Sequence, residues 1–373
     1  MKNILVTFLI LLITFYGCSK GEFEFSDKAK ITSIKLNSNG DIAVLYKSNE
    51  IVNVYNFEKL TKTFERESYF IKVKGKRNII GPFYKVSQFG LAENTNVFYV
   101  VGNNPTIGWI VQINDRKLGA YSYVTEIKVS KDGKRFGIIY NVGGEFDGTN
   151  LIGGKFYVNI DGTDYGPYDL AQSLTFSEDG DSYFFIYKNN KYWYVNENGI
   201  DHNVFDEVVL PIFLSGYNVN LIYAYRIRNN YFFNSGQKLE TKSKPFRILV
   251  SEKGIGSIYI DKTNVILEIG DLTLTNDILT NIVLQDEGTI VFSSNQDYYV
   301  FYNNGLLGPY PRVEKVGTYD DKLVLKCISN ESNYIYFGSE ILGPYEIADF
   351  SVNSNEVIVG YVEGNKVKTK LIK

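Results

Sequence analysis

The sequence predicts an all-β protein: a single β-propeller of four-stranded blades, about eight in number, with seven to nine compatible with the pattern. Two observations carry this. A closing triplet Gly-Pro-aromatic recurs at Gly81-Pro82-Phe83, Gly166-Pro167-Tyr168, Gly308-Pro309-Tyr310 and Gly343-Pro344-Tyr345, with a degraded copy at Gly119-Ala120-Tyr121. Tight-turn signals also recur at 33- to 54-residue intervals between short apolar runs, with no helical periodicity between them. Repetition at this period marks an architecture in which one small sheet cannot bury its own faces and leans on its neighbours.

The turns come first. Asn39-Gly40, Glu93-Asn94, Asp132-Gly133, Asp179-Gly180, Ser215-Gly216, Lys253-Gly254, Glu287-Gly288, Asp320-Asp321 and Ser354-Asn355 each separate a first strand from a second. Gly, Asn and Asp serve there because hairpin turns demand positive φ. Third strands follow in step and are aromatic, as at Tyr69 to Val73, Trp109 to Ile113, Tyr192 to Val195 and Tyr334 to Phe337. The triplet then closes the unit. Proline cannot donate to a ladder and stops the outermost strand, its glycine takes conformations a Cβ would forbid, and the aromatic packs between neighbouring sheets. The final unit, from Ile347, supplies only three strands, so an N-terminal strand near residues 22–26 is expected to complete it and fasten the ring.

Composition agrees. The 373 residues include 30 Tyr and 25 Phe against one Met and eight Pro, which favours strands. A formal charge of -3 lacks the basic footprint of a nucleic-acid binder, so none is expected. The single histidine, His202, and two cysteines exclude zinc sites drawing on several such ligands, and no phosphate-binding glycine loop occurs. Paired carboxylates at Asp179/Asp181, Asp286/Glu287 and Asp320/Asp321 sit inside predicted turns and read as turn chemistry, so no catalytic residue, metal or cofactor is assigned. Cys327 reads as a small buried side chain in a strand. One insertion, residues 141–154, lengthens a hairpin, is glycine-rich at both ends, and carries Glu145, Phe146, Asp147 and Asn150 as a candidate interaction loop.

Two resemblances add to this. Met1 to Cys18 joins a short positive start, an apolar run from Ile4 to Tyr16, and Gly17-Cys18. The segment is too short to span a bilayer and resembles the lipobox of bacterial lipoproteins, although Phe15 and Tyr16 depart from the preferred residues. The resemblance implies a signal peptide over 1–17, a lipidated Cys18 with a tether over 18–29, and a propeller over 30–373. It also implies a place in the bacterial cell envelope, in the outer membrane rather than the inner, since Ser19 follows the cysteine. The segments 175–180 (Thr-Phe-Ser-Glu-Asp-Gly) and 128–134 (Lys-Val-Ser-Lys-Asp-Gly-Lys) resemble the WD40-like propeller repeats of bacterial envelope proteins, including the Tol-system propeller. That implies a habit of binding an envelope protein or peptide without catalysis. The rival expectation is a glycan-binding module or hydrolase with its site at the central channel.

Overall fold

The computed structural model describes residues 23–372 apart from 57–58, 105–106, 147–150, 203, 214–220, 229, 235–244, 252–253, 262–263, 270–271, 277–280, 287–288, 295 and 304. Among the described residues the strands form eight four-stranded antiparallel sheets and one three-stranded sheet, plus a two-stranded ribbon. This is the expected all-β propeller, at the upper end of the expected blade number. Blade 1 comprises Lys30–Leu36, Ile42–Asn56, Lys59–Val73 and Ile80–Phe83, hydrogen-bonded in that order. Blades 2 to 8 occupy 85–121, 123–168, 170–201, 207–233, 245–276, 281–310 and 312–345, each with its strands in sequence order.

Blade 9 differs. Ala348–Val352, Val357–Glu363 and Lys366–Leu371 are its first three strands, and Phe23–Glu24 from the other end of the chain pairs with Val367 and Lys366 as the fourth. The N-terminal strand thus fastens the sheet as the sequence anticipates. Phe25 then packs into a core shared by blades 9 and 1, with Ile34, Val44, Tyr46, Val362 and Val367.

Among the described residues, neighbouring sheets bury their faces against one another at seven junctions. Ala43, Ile71 and Phe83 meet Phe98 and Val100 between blades 1 and 2, and comparable cores join blades 2 to 3, 3 to 4, 4 to 5, 7 to 8 and 8 to 9. Aromatic rings span several junctions. Tyr168, closing blade 3, stacks on Tyr187 of blade 4 with centroids 4.0 Å apart, and Tyr187 stacks on Tyr194 at 4.9 Å. Tyr121, Tyr140 and Tyr157 repeat the arrangement one junction earlier. Where the second strand offers Gly102 instead, Phe83 lies against it, and a Cβ there would come 2.3 Å from that ring.

The first strands are bulged at one recurring place, after Ile31, Val86, Val124 and Val313 among others. A bulge leaves ladder groups unpaired. Hydroxyls at that place supply the missing donor: Thr32 Oγ1 donates to the Leu45 carbonyl (3.0 Å) and Thr125 Oγ1 to that of Ile139 (3.2 Å). One residue on, side chains reach the neighbouring blade. Gln88 Oε1 accepts from the Ile127 amide and Glu126 Oε2 from that of Leu174; in blade 9, whose first strand has no bulge, Asp349 Oδ2 accepts from the Leu36 amide.

Candidate docking face

Strand direction fixes two faces of the ring. One carries the turns from first to second strand; the other carries the connections from second to third strand and from each blade to the next. Both long excursions of the chain leave from this second face. In blade 1 the pairing of second and third strands continues outward from Ser48↔Ser68 to Asn56↔Lys59, beyond the reach of the first strand, which ends its pairing at Lys47, and of the fourth, which ends at Tyr69. At its base Glu50 Oε1 accepts from Ser68 Oγ (2.6 Å) and Arg66 Nε (2.9 Å), and the Lys47 ammonium pairs with Glu67 at 2.7 Å. That contact raises the Lys47 pKa. In blade 3 the predicted insertion forms the ribbon Glu145–Phe146 with Leu151–Ile152. Its base is held by Asn141, whose Oδ1 accepts from the Gly144 amide (2.9 Å) and whose Nδ2 donates to the Gly153 carbonyl. Glu145 pairs across the ribbon with Ile152; Asp147 and Asn150 lie outside the described residues, as does Cys18.

The shorter connections on this face are held by one repeated device. At four junctions the residue after the aromatic that ends a blade (Phe83, Tyr121, Tyr168 and, in blade 4, Phe205) donates its amide to the end of the next blade's second strand: Tyr84 to Asn103, Ser122 to Asn141, Asp169 to Lys188, Asp206 to Arg226. Where its side chain can accept, it also caps the following turn. Ser122 Oγ takes the Gly143 amide (3.1 Å), Asp169 Oδ2 that of Asn190 (2.6 Å), and Asp206 Oδ2 that of Arg228 (2.7 Å). Such caps satisfy turn amides that otherwise face water alone. The Asp169 carboxyl, also held by Lys155 and the Asn190 amide, lies below the usual carboxylate range.

Most exposed large apolar side chains among the described residues fall in two places, with Leu371 at the turn-face end of blade 9 apart from both. Along the rim they follow the outer strands, as at Ile79, Ile200, Leu306 and Ile341. On the connection face they run through blades 1 to 5: Ile51 and Phe64 in the blade 1 hairpin, Tyr84 and Ile107 around blade 2, Val142 and Ile152 in blade 3, Tyr192 in blade 4, Ile227 in blade 5. The corresponding connections of blades 8 and 9, Asn330-Glu331 and Gly364-Asn365, are polar.

The closing triplets occupy the rim. Gly81, Gly119, Gly166, Gly308 and Gly343 share φ between +125° and +131°, each followed by a cis peptide bond, and a Cβ on any of them would come 2.7 to 2.9 Å from the carbonyl oxygen of the facing third-strand residue. Pro82, Pro167, Pro309 and Pro344 stand exposed beside them, while Phe83 and Tyr168 are buried and Tyr310 and Tyr345 half-buried. Tyr345 stacks on Tyr361 of blade 9, and Tyr310 lies edge-on to Tyr336 of blade 8.

Among the described residues the other polar groups form no reactive constellation. His202 Nε2 contacts Glu197 at 3.0 Å. Asp179 accepts from Ser177 Oγ and the Asp181 amide inside its turn, and Asp320 and Asp321 both take positive φ in theirs. Cys327 is fully buried, and burial pushes its thiol up to about 12. Among the described residues no three His, Cys, Asp or Glu side chains gather as metal ligands. The first-strand side chains Gln88, Glu126, Asp349 and Lys315 are spent on bonds to the next blade.

No known family matches the sequence, and no curated protein does. Solved structures do. The chain is similar to the Dos1 propeller, at 10% identity over 94% of each chain with a TM-score of 0.39. It is similar to the β-propeller domain of the Trilobed protease from Pyrococcus furiosus, at 10% identity over 92% of this chain and 98% of that one, TM-score 0.39. It is also similar to an acylaminoacyl peptidase of Pyrococcus horikoshii, at 12% identity over 84% of this chain, TM-score 0.38; there it spans 59% of the other chain's length.

Proposed function

We propose that this protein is a lipid-anchored protein of the bacterial envelope whose ring is a non-catalytic scaffold, docking a protein or peptide on the connection face of blades 1 to 5. The observation that carries the docking reading is the placement of Ile51, Phe64, Ile107, Ile152, Tyr192 and Ile227 on that face, on loops whose bases are fixed by Glu50, Asn141, Asp169 and Asp206. Apolar side chains on backbone already held in place lose little entropy on binding, which is how a surface yields affinity. The anchor rests on the lipobox-like leader ending at Gly17-Cys18, and outer-membrane placement on Ser19 after it.

Affinity purification from solubilised membranes tests the scaffold. A partner retained by the native protein and lost with Ile107→Asp and Tyr192→Asp supports it; one retained equally by both variants contradicts it. The anchor is tested by the mass of the mature N-terminus. An acylated Cys18 is expected, and cleavage at another bond without an acyl chain defeats that part alone.

A further inference from the structure

We propose that the blade 4 and blade 5 portion of this face binds an acidic peptide segment bearing aromatic or aliphatic side chains; the inference rests on the docking reading above. The surface is continuous across the two blades. The Trp193 and Phe205 backbones exchange hydrogen bonds at 2.9 and 3.0 Å, the Asp206 amide donates to the Arg226 carbonyl, and Asp206 Oδ2 holds the Arg228 amide. Tyr192 and Ile227, both exposed, therefore stand on one stretch of bonded backbone, with Trp193 half-buried between them.

Cations outnumber acids on this stretch. Arg228 and Lys191 are exposed and Lys188 half-exposed, and among the described residues none of the three is in ion-pair contact with a carboxylate. Of the nearby acids, Asp169 pairs with Lys155 and lies within electrostatic reach of Lys188, Glu207 pairs with Arg226, Glu197 contacts His202, and Asp206 accepts the Arg228 amide. In a chain with more acidic than basic residues, 42 against 39, the exposed cations Lys191 and Arg228, neither in ion-pair contact among the described residues, run against the average. Lys191 Nζ lies 5.0 Å from the Tyr192 ring centre and Lys188 Nζ 5.7 Å from that of Trp193. Rings hold an ammonium in place without neutralising it, so the cations stay available to carboxylates while the ring faces and Ile227 offer apolar contact. Complementary charge sets the partner and the register, and the apolar anchors supply affinity.

The test uses the full chain and a fluorescent random copolymer of glutamate and tyrosine, followed by anisotropy at rising salt. Binding that weakens with salt, falls at least tenfold in the double variant K191E/R228E and in I227D, and persists in Lys191→Arg is the expected result. Melting curves establish that the variants are folded. Equal binding by K191E/R228E, or equal binding of a lysine–tyrosine copolymer, overturns the proposal. So does binding of phosphatidylglycerol vesicles with none of the copolymer, which would make the patch a membrane contact. If the copolymer fails while a partner is still lost with Ile107→Asp, the acidic chemistry falls and the docking face stands.

Discussion

The two faces of the ring are built from the same sheets yet solve opposite problems. On the turn face the loops are short and sewn to one another. Asn353 Nδ2 donates to the Ser38 carbonyl (2.7 Å), Asn37 Nδ2 to that of Thr95 (2.6 Å), Asn39 Nδ2 to that of Asn94, the Asn94 amide to that of Lys131, and Arg135 Nη1 to that of Asp181 (2.9 Å). Lys131 sits between Glu93 and Glu178 of the flanking blades. Four junctions in a row, from blade 9 to blade 4, are stitched this way. On the connection face each loop is fixed at its base, but the hairpin of blade 1 and the ribbon of blade 3 run on past their neighbours and carry apolar side chains outward. One face spends its polar groups holding the ring together; the other leaves apolar side chains exposed.

Substitutions in the frame should therefore cost stability, and substitutions in the excursions should not. Gly166→Val should cost about 4 kcal/mol, because φ of +128° excludes a β-branched residue and the Cβ would come 2.9 Å from the Phe156 carbonyl oxygen. Gly143→Ala in the ribbon's base, with φ of +76° but nothing within 4 Å, should cost only about 1 kcal/mol. Denaturant melts of the two decide it, and equal midpoints would break the comparison. Gly148, the natural control inside the ribbon, lies outside the described residues.

Asp349→Ala comes next. Its carboxylate, 3% exposed, pairs with Lys315 of blade 8 at 3.0 Å and takes the Leu36 amide of blade 1 at 3.0 Å, so removal strands a partly buried ammonium and a buried amide at the junction where the chain ends meet. About 3 kcal/mol is expected. Cys327 gives a reagent-based readout of the frame: with its thiol pushed up to about 12, it should resist maleimide at pH 8 in the folded ring and react once denaturant opens it. Labelling at Cys327 in the native protein would show that blades 7 and 8 part readily.

Acid probes the turn face. Asp132 is held down to about 2 by Ser130 Oγ, by the Lys134 ammonium and by the Lys134 amide. A depressed folded pKa contributes stability that is fully present above the unfolded value near 4 and is lost as pH falls toward 2. NMR titration should place the Asp132 carboxyl near pH 2, moving up toward the ordinary value in Ser130→Ala. The smallest effect is expected from shortening the blade 1 hairpin to a tight turn between residues 51 and 65, which keeps Glu50, Arg66 and Ser68 in place. Its outer strands have no other blade strand beside them, so stability should change by about 1 kcal/mol or less.

Much of this frame is legible in the sequence because it is local. Six of the nine turn signals, those at 39–40, 93–94, 132–133, 179–180, 320–321 and 354–355, fall between a first and a second strand of their blade, whereas Ser215-Gly216, Lys253-Gly254 and Glu287-Gly288 include residues outside the described ones; the Asp-Gly turns show the side-chain caps that favour aspartate there, Asp132 and Asp179 each accepting from the serine two residues earlier. The closing glycines, including the degraded copy at Gly119, share one backbone conformation. The blade 1 hairpin was not read, although the 54-residue interval from Gly40 to Asn94 is its trace; an extension of two strands adds length without adding a turn signal between them. The caps from Ser122, Asp169 and Asp206 were missed as well. Each directly follows a closing aromatic, but its partner lies some twenty residues on, in the next blade, where no local pattern announces it. The apolar connection face is invisible for a similar reason, since only the ring brings Ile51, Ile107, Tyr192 and Ile227 to one side.

The most direct test of that face is a photo-crosslinking scan in cells. A benzoylphenylalanine placed singly at Ile107, Ile152, Tyr192 and Ile227 should give a discrete adduct with a second protein, and the same group at Asn94, Lys134 and Asp181 on the turn face should not. Adducts of equal yield from both faces, or from the turn face alone, would contradict the account.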